Sequence, residues 1–450
     1  MKIDEIVLGG HKKRRHRDNR HHRLVQPDNL YTVSGKDLTE ADGKNTHLDH
    51  AEELVFMHGT AGIKRVVNTF SNLLTQLDGK GGGEAITTKW DGAPALFAGV
   101  DPSDGQFFVG TKGVFAKNAK LNKSHQDIDM NHPDTKKGNE TVDKQGLRNK
   151  LHAAFDGLQD LGIQGVLQGD MLFSKGDLKQ VNIEGQSYVA FKPNTITYVV
   201  PAGSDTAKRM QAAELGIVFH TSYNGDSIDT MQAQFGYDAS ELSPSPRVWF
   251  TDARINDVSG QVQMSSKEVA AISNAIKQLD SMSVDERAFK VLDAKLPINL
   301  VQELKAHANT PIRTGQALEK DADKFVKDFV QRLHNKFEAD IAKLKTGREG
   351  PAGQRKAQAQ AEIVKFIDDN AQNIANMYRA YLKTDAIKMM FQRKMRDIRA
   401  IDSFIEQSDG SFKVTDPEGF VIVDHMGRAI KIVDRLEFSA ANFSPDKKFG

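Results

Sequence analysis

The 450-residue chain contains no cysteine, which excludes disulfide scaffolds, Cys-ligated zinc, iron–sulfur clusters and thiol nucleophiles together. A reducing compartment fits that absence. Net charge is also missing: 61 Lys+Arg stand against 60 Asp+Glu, leaving a formal +1, so charge acts here by location rather than in total. No run of about 18 apolar residues occurs, and the N-terminus leads into a basic, His-rich stretch where a secretory apolar segment would sit. The expectation is a soluble, cytoplasmic protein with no membrane partner. What is present suffices for a core: 39% of residues are apolar and there are 36 glycines, above the disordered range. At roughly 100–200 residues per domain, the length predicts two or three domains, or one large domain with an insertion.

Texture divides the chain into five stretches. Residues 1–45 form a basic arm, in which Lys12, Lys13, Arg14, Arg15, Arg17, Arg20 and Arg23 interleave with His11, His16, His21 and His22. Two readings stay open for it: a solvated tail, or a phosphate-binding arm that gains nucleic-acid affinity by counterion release. Zinc is disfavoured because nothing nearby closes a ligand set. Residues 46–78 read as helices, capped by Thr46 and Asp49, with Leu54, Val55, Val66, Phe70 and Leu73 in helical spacing and a break at Gly59–Gly62. The glycines of 79–83 lack a Gly-Lys-Ser/Thr ending and read as a turn rather than a phosphate loop.

From 84 to 260 short β-type runs such as Ala95–Ala98, Phe107–Val109, Tyr188–Phe191 and Ile217–Phe219 are separated by turns and two helical stretches, 147–161 and 205–215. That is a mixed, largely antiparallel α+β pattern. Residues 261–408 return to helical spacing, for example Val269, Ile272, Ile276 and Leu279, with a loop marked by Gly347, Gly350, Pro351 and Gly353. Residues 409–450 carry β-type runs again, Phe420–Val423 and Ala429–Val433, around a turn at His425–Gly427. These strands are expected to complete the earlier sheet, which makes the helical block an insertion.

The most informative local feature is Thr88-Lys89-Trp90-Asp91-Gly92. A lysine is a nucleophile only when deprotonated, and partial burial, neighbouring cations or a metal would lower its pKa so that its amine could attack an electrophilic phosphorus. Gly92 would let the backbone come close to a ligand. This K-x-D-G arrangement resembles motif I of the covalent nucleotidyltransferases, that is, ATP-dependent DNA ligases, RNA ligases and mRNA capping enzymes.

Further matches follow in the family's order. Phe107–Gly113 resembles the strand after motif I, with Lys112 the candidate basic residue or a plain surface lysine. Gly169-Asp170-Met171-Leu172-Phe173 resembles motif III, with Asp170 in place of the usual glutamate. Val189-Ala190-Phe191 resembles motif IIIa, where an aromatic ring stacks on the purine, although Phe191 also reads as core. Glu418-Gly419-Phe420-Val421 looks like motif IV, whose glutamate binds the metal, and Lys431 resembles the first lysine of motif V, with Arg435 a substitute for the second. Glu214-Leu215-Gly216 is a rival motif IV that splits the Glu-Gly pair. No arginine follows Gly92, where Ala93 and Pro94 stand, and about 190 residues precede motif IV as an insertion. The run from Lys89 to Ala95 also resembles proteins of large tailed phages.

The resemblance implies an antiparallel-sheet, ATP-grasp-like ligase core with a large helical insertion. It implies a ligase that forms lysyl–AMP at Lys89, with Lys89, Asp91 and Lys431 catalytic. Gly92, Lys112, Asp170, Phe191, Glu418, Lys431 and Arg435 would bind ATP, and Glu418 and Asp170 would hold Mg²⁺ or Mn²⁺. The short stretch after Lys431 leaves no room for the barrel that DNA ligases place there, which favours an RNA substrate over DNA. A fold kept for nucleic-acid binding without catalysis is the alternative, and protein adenylylation a third. Lys383, Lys388, Arg393, Lys394, Arg396 and Arg399 form a basic helical stretch, either a solvated face or a nucleic-acid contact. His47 and His50 could form half a metal site but read as surface or capping positions, and His220 as a core, loop or pocket residue. No Ser-His-Asp order or H-E-x-x-H pattern competes.

Overall fold

The structure is a computed structural model that describes residues 48–80, 84–137, 140–255, 262, 264–282, 289–396, 402–406, 412–414, 418–424 and 427–436. The basic arm, His47, Gly81–Gly83, Arg399 and the His425–Met426 part of the predicted turn lie outside the described residues.

In chain order the strands are β1 (Ala85–Lys89), β2 (Ala95–Val100), β3 (Phe107–Gly110), β4 (Thr135–Lys137), β5 (Glu140–Val142), β6 (Val166–Ser174), β7 (Lys179–Ile183), β8 (Gln186–Phe191), β9 (Thr197–Pro201), β10 (Leu215–Asn224), β11 (Gln232–Phe235), β12 (Val248–Asp252), β13 (Asp402–Glu406), β14 (Phe412–Val414), β15 (Gly419–Val423) and β16 (Ala429–Val433). The α-helices are α1 (Glu53–Leu77), α2 (His125–Asn131), α3 (Gln145–Leu158), α4 (Asp205–Ala212), α5 (Ser266–Met282), α6 (Leu300–Arg313), α7 (Ala322–Ala342), α8 (Pro351–Asp369) and α9 (Ala371–Met395). The protein is therefore mixed α and β with antiparallel sheets, β10–β12 being the parallel pair among the described strands.

Local chemistry explains several boundaries. The predicted break after residue 58 is a kink inside α1 at Gly59, whose φ of 51° suits a residue without a Cβ. Ser204 and Asp321 cap α4 and α7 by accepting backbone N–H bonds. Pro351 opens α8 at its first turn, where a missing N–H is tolerated, so Gly353 belongs to a helix rather than to the predicted loop. The β7–β8 hairpin turns through Glu184 and Gly185, both at positive φ, as the twist of a two-residue hairpin demands.

The largest sheet runs β11-β10-β6-β2-β3, with β12 beside β10. Helices α2 and α3 cover one side, burying Ile128, Leu151, Ala154 and Leu158 against Leu96, Val109, Leu167 and Ile217. On the other side a second cluster joins Trp90, Leu172 and Phe173 to Phe191 and Tyr198 of the sheet β14-β13-β9-β8-β7. Each such apolar side chain contributes about 1.5–3 kcal/mol on burial.

The final strands do not extend the largest sheet. They pair with β1 in a separate sheet, β1-β15-β16, because Thr87 faces Val421 and Val421 faces Lys431 in antiparallel register. Alternation then divides its residues between two faces. Ile86, Phe420, Ile422, Ile430 and Ile432 enter one apolar cluster with α1 and the helices α5 to α9, among them Phe70, Tyr378, Tyr381 and Phe391. The helical block thus shares a core with the sheet that carries Lys89.

Candidate active site

Thr87, Lys89, Val421 and Lys431 lie on the other face of that small sheet and line a cavity of about 240 Å³. Asp170 and Gln168 of β6 and His220, Thr221 and Tyr223 of β10 form the facing wall. The recess is at the small end of ligand pockets, with apolar walls and a few convergent polar groups.

Lys89 is the last residue of β1 and opposes Gly419. Its ammonium forms an ion pair with the Glu418 carboxylate, both side chains largely shielded from solvent. Burial alone would lower the lysine pKa, but Glu418, Asp170 and Asp91 outweigh it and leave the pKa raised. The expected lowering is therefore corrected: in the free protein Lys89 is a paired ammonium. Glu418 is pushed up, first by burial, with Lys89 opposing. Lys431 is pushed down to about 8 by burial and by the neighbouring Lys89 charge.

The two glycines of the motifs act through backbone contact. A Cβ on Gly92 would lie 2.5 Å from Asp170 Cβ, so Gly92 lets β6 bring Asp170 up to the Lys89 loop. Gly419 has φ of 155°, and a Cβ there would lie 2.4 Å from the Ile432 carbonyl oxygen, so it lets β15 seat Glu418 against β16. Asp170 carries its carboxylate 3.8 Å from His220 Nε2, and His220 Nδ1 is 2.7 Å from Thr221 Oγ1. Lys112 is exposed at the cavity's edge.

Asp91 is held elsewhere. Its carboxylate accepts hydrogen bonds from Asn194 Nδ2 at 2.6 Å, Thr195 N at 2.6 Å and Ile196 N at 2.9 Å, and its own N–H donates to Tyr198 Oη at 2.7 Å. It fixes the β8–β9 connection under the Lys89 loop, which is a positioning role rather than the catalytic one expected.

Two further expectations are corrected. Phe191 is 1% exposed and stacks on Tyr198 with ring centroids 5.5 Å apart; it is core beneath the cavity and not among the residues lining it. Arg435 donates to Asn309 at 2.7 Å, Glu52 at 3.2 Å and Tyr381 at 3.3 Å, which commits it to the junction with the helices. The rival Glu214 pairs with Arg247 at 3.0 Å, so Glu418 is the glutamate beside Lys89. In α9, Lys388 is buried between Glu52 at 2.9 Å and Asp385 at 2.7 Å, and Lys394 pairs with Glu268. The basic stretch is thus not one open face; among its described residues Arg393 and Arg396 are exposed.

Sequence reasoning missed Gln168 and Tyr223, whose hydroxyl donates to Gln168 Oε1 at 2.7 Å. Their only signal is alternation along β6 and β10 once both strands face the cavity. His50, placed by sequence at a surface or cap, bridges to Lys431 and has its Nδ1 sealed without a partner. Burial, then Arg435, Lys388, Lys431 and Lys89, hold its pKa well below the ordinary value.

No group of three His, Asp or Glu side chains able to hold a metal occurs among the described residues. Mg²⁺ needs less than that, one or two carboxylates with water and substrate phosphates completing its shell. Asp170 on the cavity wall and Glu418, paired to Lys89, offer oxygens of that kind. No helix among the described residues is long and apolar enough to cross a membrane. A family described as of unknown function (DUF6267) matches residues 45–447. Neither the curated proteins nor the solved structures give a match.

Proposed function

Because that match covers most of the chain, the protein belongs to the DUF6267 family, and for it we propose an ATP-dependent polynucleotide ligase, acting on RNA ends through a lysyl–AMP intermediate at Lys89. The observation that carries this reading is the convergence of Lys89 and Lys431 on one wall of a cavity from two distant parts of the chain, with Glu418 paired to Lys89 behind it. Glu418, paired to Lys89, is the carboxylate positioned to take its proton when ATP is bound.

Lys89 passes a proton to Glu418, and the freed Nζ attacks the α-phosphorus of ATP. The N–P bond forms, the bridging P–O bond to the β-phosphate breaks, and pyrophosphate leaves, taking up the second ammonium proton. Lys431, charged below about pH 8, stabilises the negative oxygens at phosphorus. Asp170, with water and the phosphates completing the shell, would hold Mg²⁺, which would supply charge neutralisation on the same phosphates. A 5′-phosphate then accepts the AMP, and a 3′-hydroxyl displaces it to seal the strand.

The second reading, a fold kept for binding without catalysis, draws on Phe191 and Arg435 lying away from the cavity. Incubation with Mg²⁺ and α-labelled ATP, followed by denaturing electrophoresis, separates the two. Label on the wild type and none on Lys89→Ala supports the ligase. An unlabelled wild type, after pyrophosphate treatment to clear any bound AMP, supports the binding protein.

A further inference from the structure

The edge of the small sheet is closed by the segment that precedes α1. Lys431 donates its N–H to the Asp49 carbonyl at 3.1 Å, and Ala51 donates its N–H to the Lys431 carbonyl at 3.3 Å, so residues 49–51 run parallel to β16 at the level of Lys431, with His50 opposite it. This segment and the start of α1 carry three acids, Asp49, Glu52 and Glu53. Glu52 is held by Lys388 and Arg435. Asp49 and Glu53 are held from the helical block: Lys305 of α6 donates to Asp49 Oδ1 at 3.1 Å and lies 3.4 Å from Glu53 Oε2. Asn309, one turn later on α6, donates to Glu53 Oε1 at 3.0 Å. The Lys305 contacts are largely shielded from solvent, so salt screens them little.

The same two carboxylates act on Lys431. Its charged surroundings are Lys89 and Glu418 of the small sheet, Asp49 and Glu53, and His50 beside it. Lys431 lines the cavity, whereas Asp49 and Glu53 are engaged by Lys305. We infer that Lys305 is a positioning residue for Lys431: by occupying Asp49 and Glu53 it keeps them from drawing the Lys431 ammonium out of the cavity. A shielded carboxylate left without its cation is costly, and the lysine whose backbone is bonded to Asp49 is a cation these acids already attract. The helical block is then a working part of the site, since α6 sets where the cation of β16 points. What Lys431 does for the phosphates rests on the ligase reading; the hold of Lys305 on its neighbours does not.

Trace acetylation of the full chain, read by mass spectrometry at each lysine across the range around pH 8, follows Lys431 without any catalysis, because only the neutral amine reacts. Wild type should show a midpoint of about 8 at Lys431. Lys305→Met should move it upward as the freed acids hold the ammonium, Lys305→Arg should keep it, and Asp49→Asn added to Lys305→Met should bring it back. Lys305→Gln, which still hydrogen-bonds, takes the place of Lys305→Met if that variant does not fold, with the same expectation. Single-turnover adenylylation with α-labelled ATP is the second readout. Lys305→Met should lower the rate constant about 10-fold, short of the roughly 10²–10³ lost when a stabilising donor is deleted outright, with the final labelled fraction unchanged, and Lys305→Arg should restore it. A smaller labelled fraction at an unchanged rate constant marks a merely structural role and overturns the positioning. So does a Lys431 midpoint that stays in place without Lys305. A wild type that takes no label sinks the ligase reading alone, and the Lys431 midpoint still decides whether Lys305 governs that lysine.

Discussion

Lys89 and Glu418 form an ion pair although 329 residues separate them in the chain. The pair exists because β15 lies antiparallel to β1 with Gly419 opposite Lys89, which delivers the preceding glutamate to the end of the strand. Glu418→Gln should therefore remove the proton acceptor while keeping size and hydrogen bonding. Adenylylation is expected to fall by about 10²–10⁴, the ordinary range for a general base. Unchanged adenylylation would remove Glu418 from the chemistry.

The pH profile should show Lys431. Its ammonium is present below about pH 8 and lost above, so adenylylation should decline on the alkaline side with an apparent pKa near that value. Lys431→Arg, charged throughout, should move the decline upward. The sign for stability is opposite to that of a salt-bridged lysine: the folded pKa lies below the ordinary 10.5, so between the two values the unfolded state holds more protons and stability rises with pH. Denaturant midpoints of wild type and Lys431→Met across that window would show the rise vanish in the variant.

Lys388→Met should destabilise the protein strongly. It leaves Glu52, 0% exposed, with Arg435 as its remaining partner at 3.2 Å. Removing one member of a buried pair costs about 3–5 kcal/mol, and the arginine sets the expectation at the lower end. Glu52→Gln added to Lys388→Met should recover part of the loss in urea unfolding; a double variant as unstable as the sum of the singles contradicts the pairing.

Phe191→Leu separates core from ligand contact. Buried on Tyr198 and Phe173, it should lose about 1–2 kcal/mol of stability through smaller apolar contact and leave nucleotide binding unchanged. A tenfold loss of ATP affinity without a stability change would restore the stacking role.

Gly92→Ala should act on both. The added methyl falls on Asp170 Cβ, and overpacking costs about 1–3 kcal/mol, with β6 displaced from the cavity. The expected sign is a lower thermal midpoint together with weaker adenylylation, whereas Gly79→Ala, where a Cβ meets nothing within 4 Å, should leave adenylylation intact.

The sequence by itself determined much of the local structure. Helical spacing with a glycine break foretold the kinked α1, apolar runs foretold β2, β8, β15 and β16, and Lys89-Trp90-Asp91-Gly92 singled out the strand end that meets Glu418. These are properties of neighbouring residues, and a period or a turn residue states them directly. Only the tertiary structure decided what each charged group faces. Lys388 and Arg393 are alike in sequence, yet one is buried on Glu52 and the other exposed, because α9 turns one side to α1 and the other outward. Asp91 and Glu418 both belong to motifs, yet one binds backbone N–H groups and the other a lysine. Pairing between distant strands sets those partners, and a partner 329 residues away leaves no mark on local composition. The same pairing lowers Lys431 and raises Lys89, since burial and neighbouring charge, not residue type, fix where a proton sits.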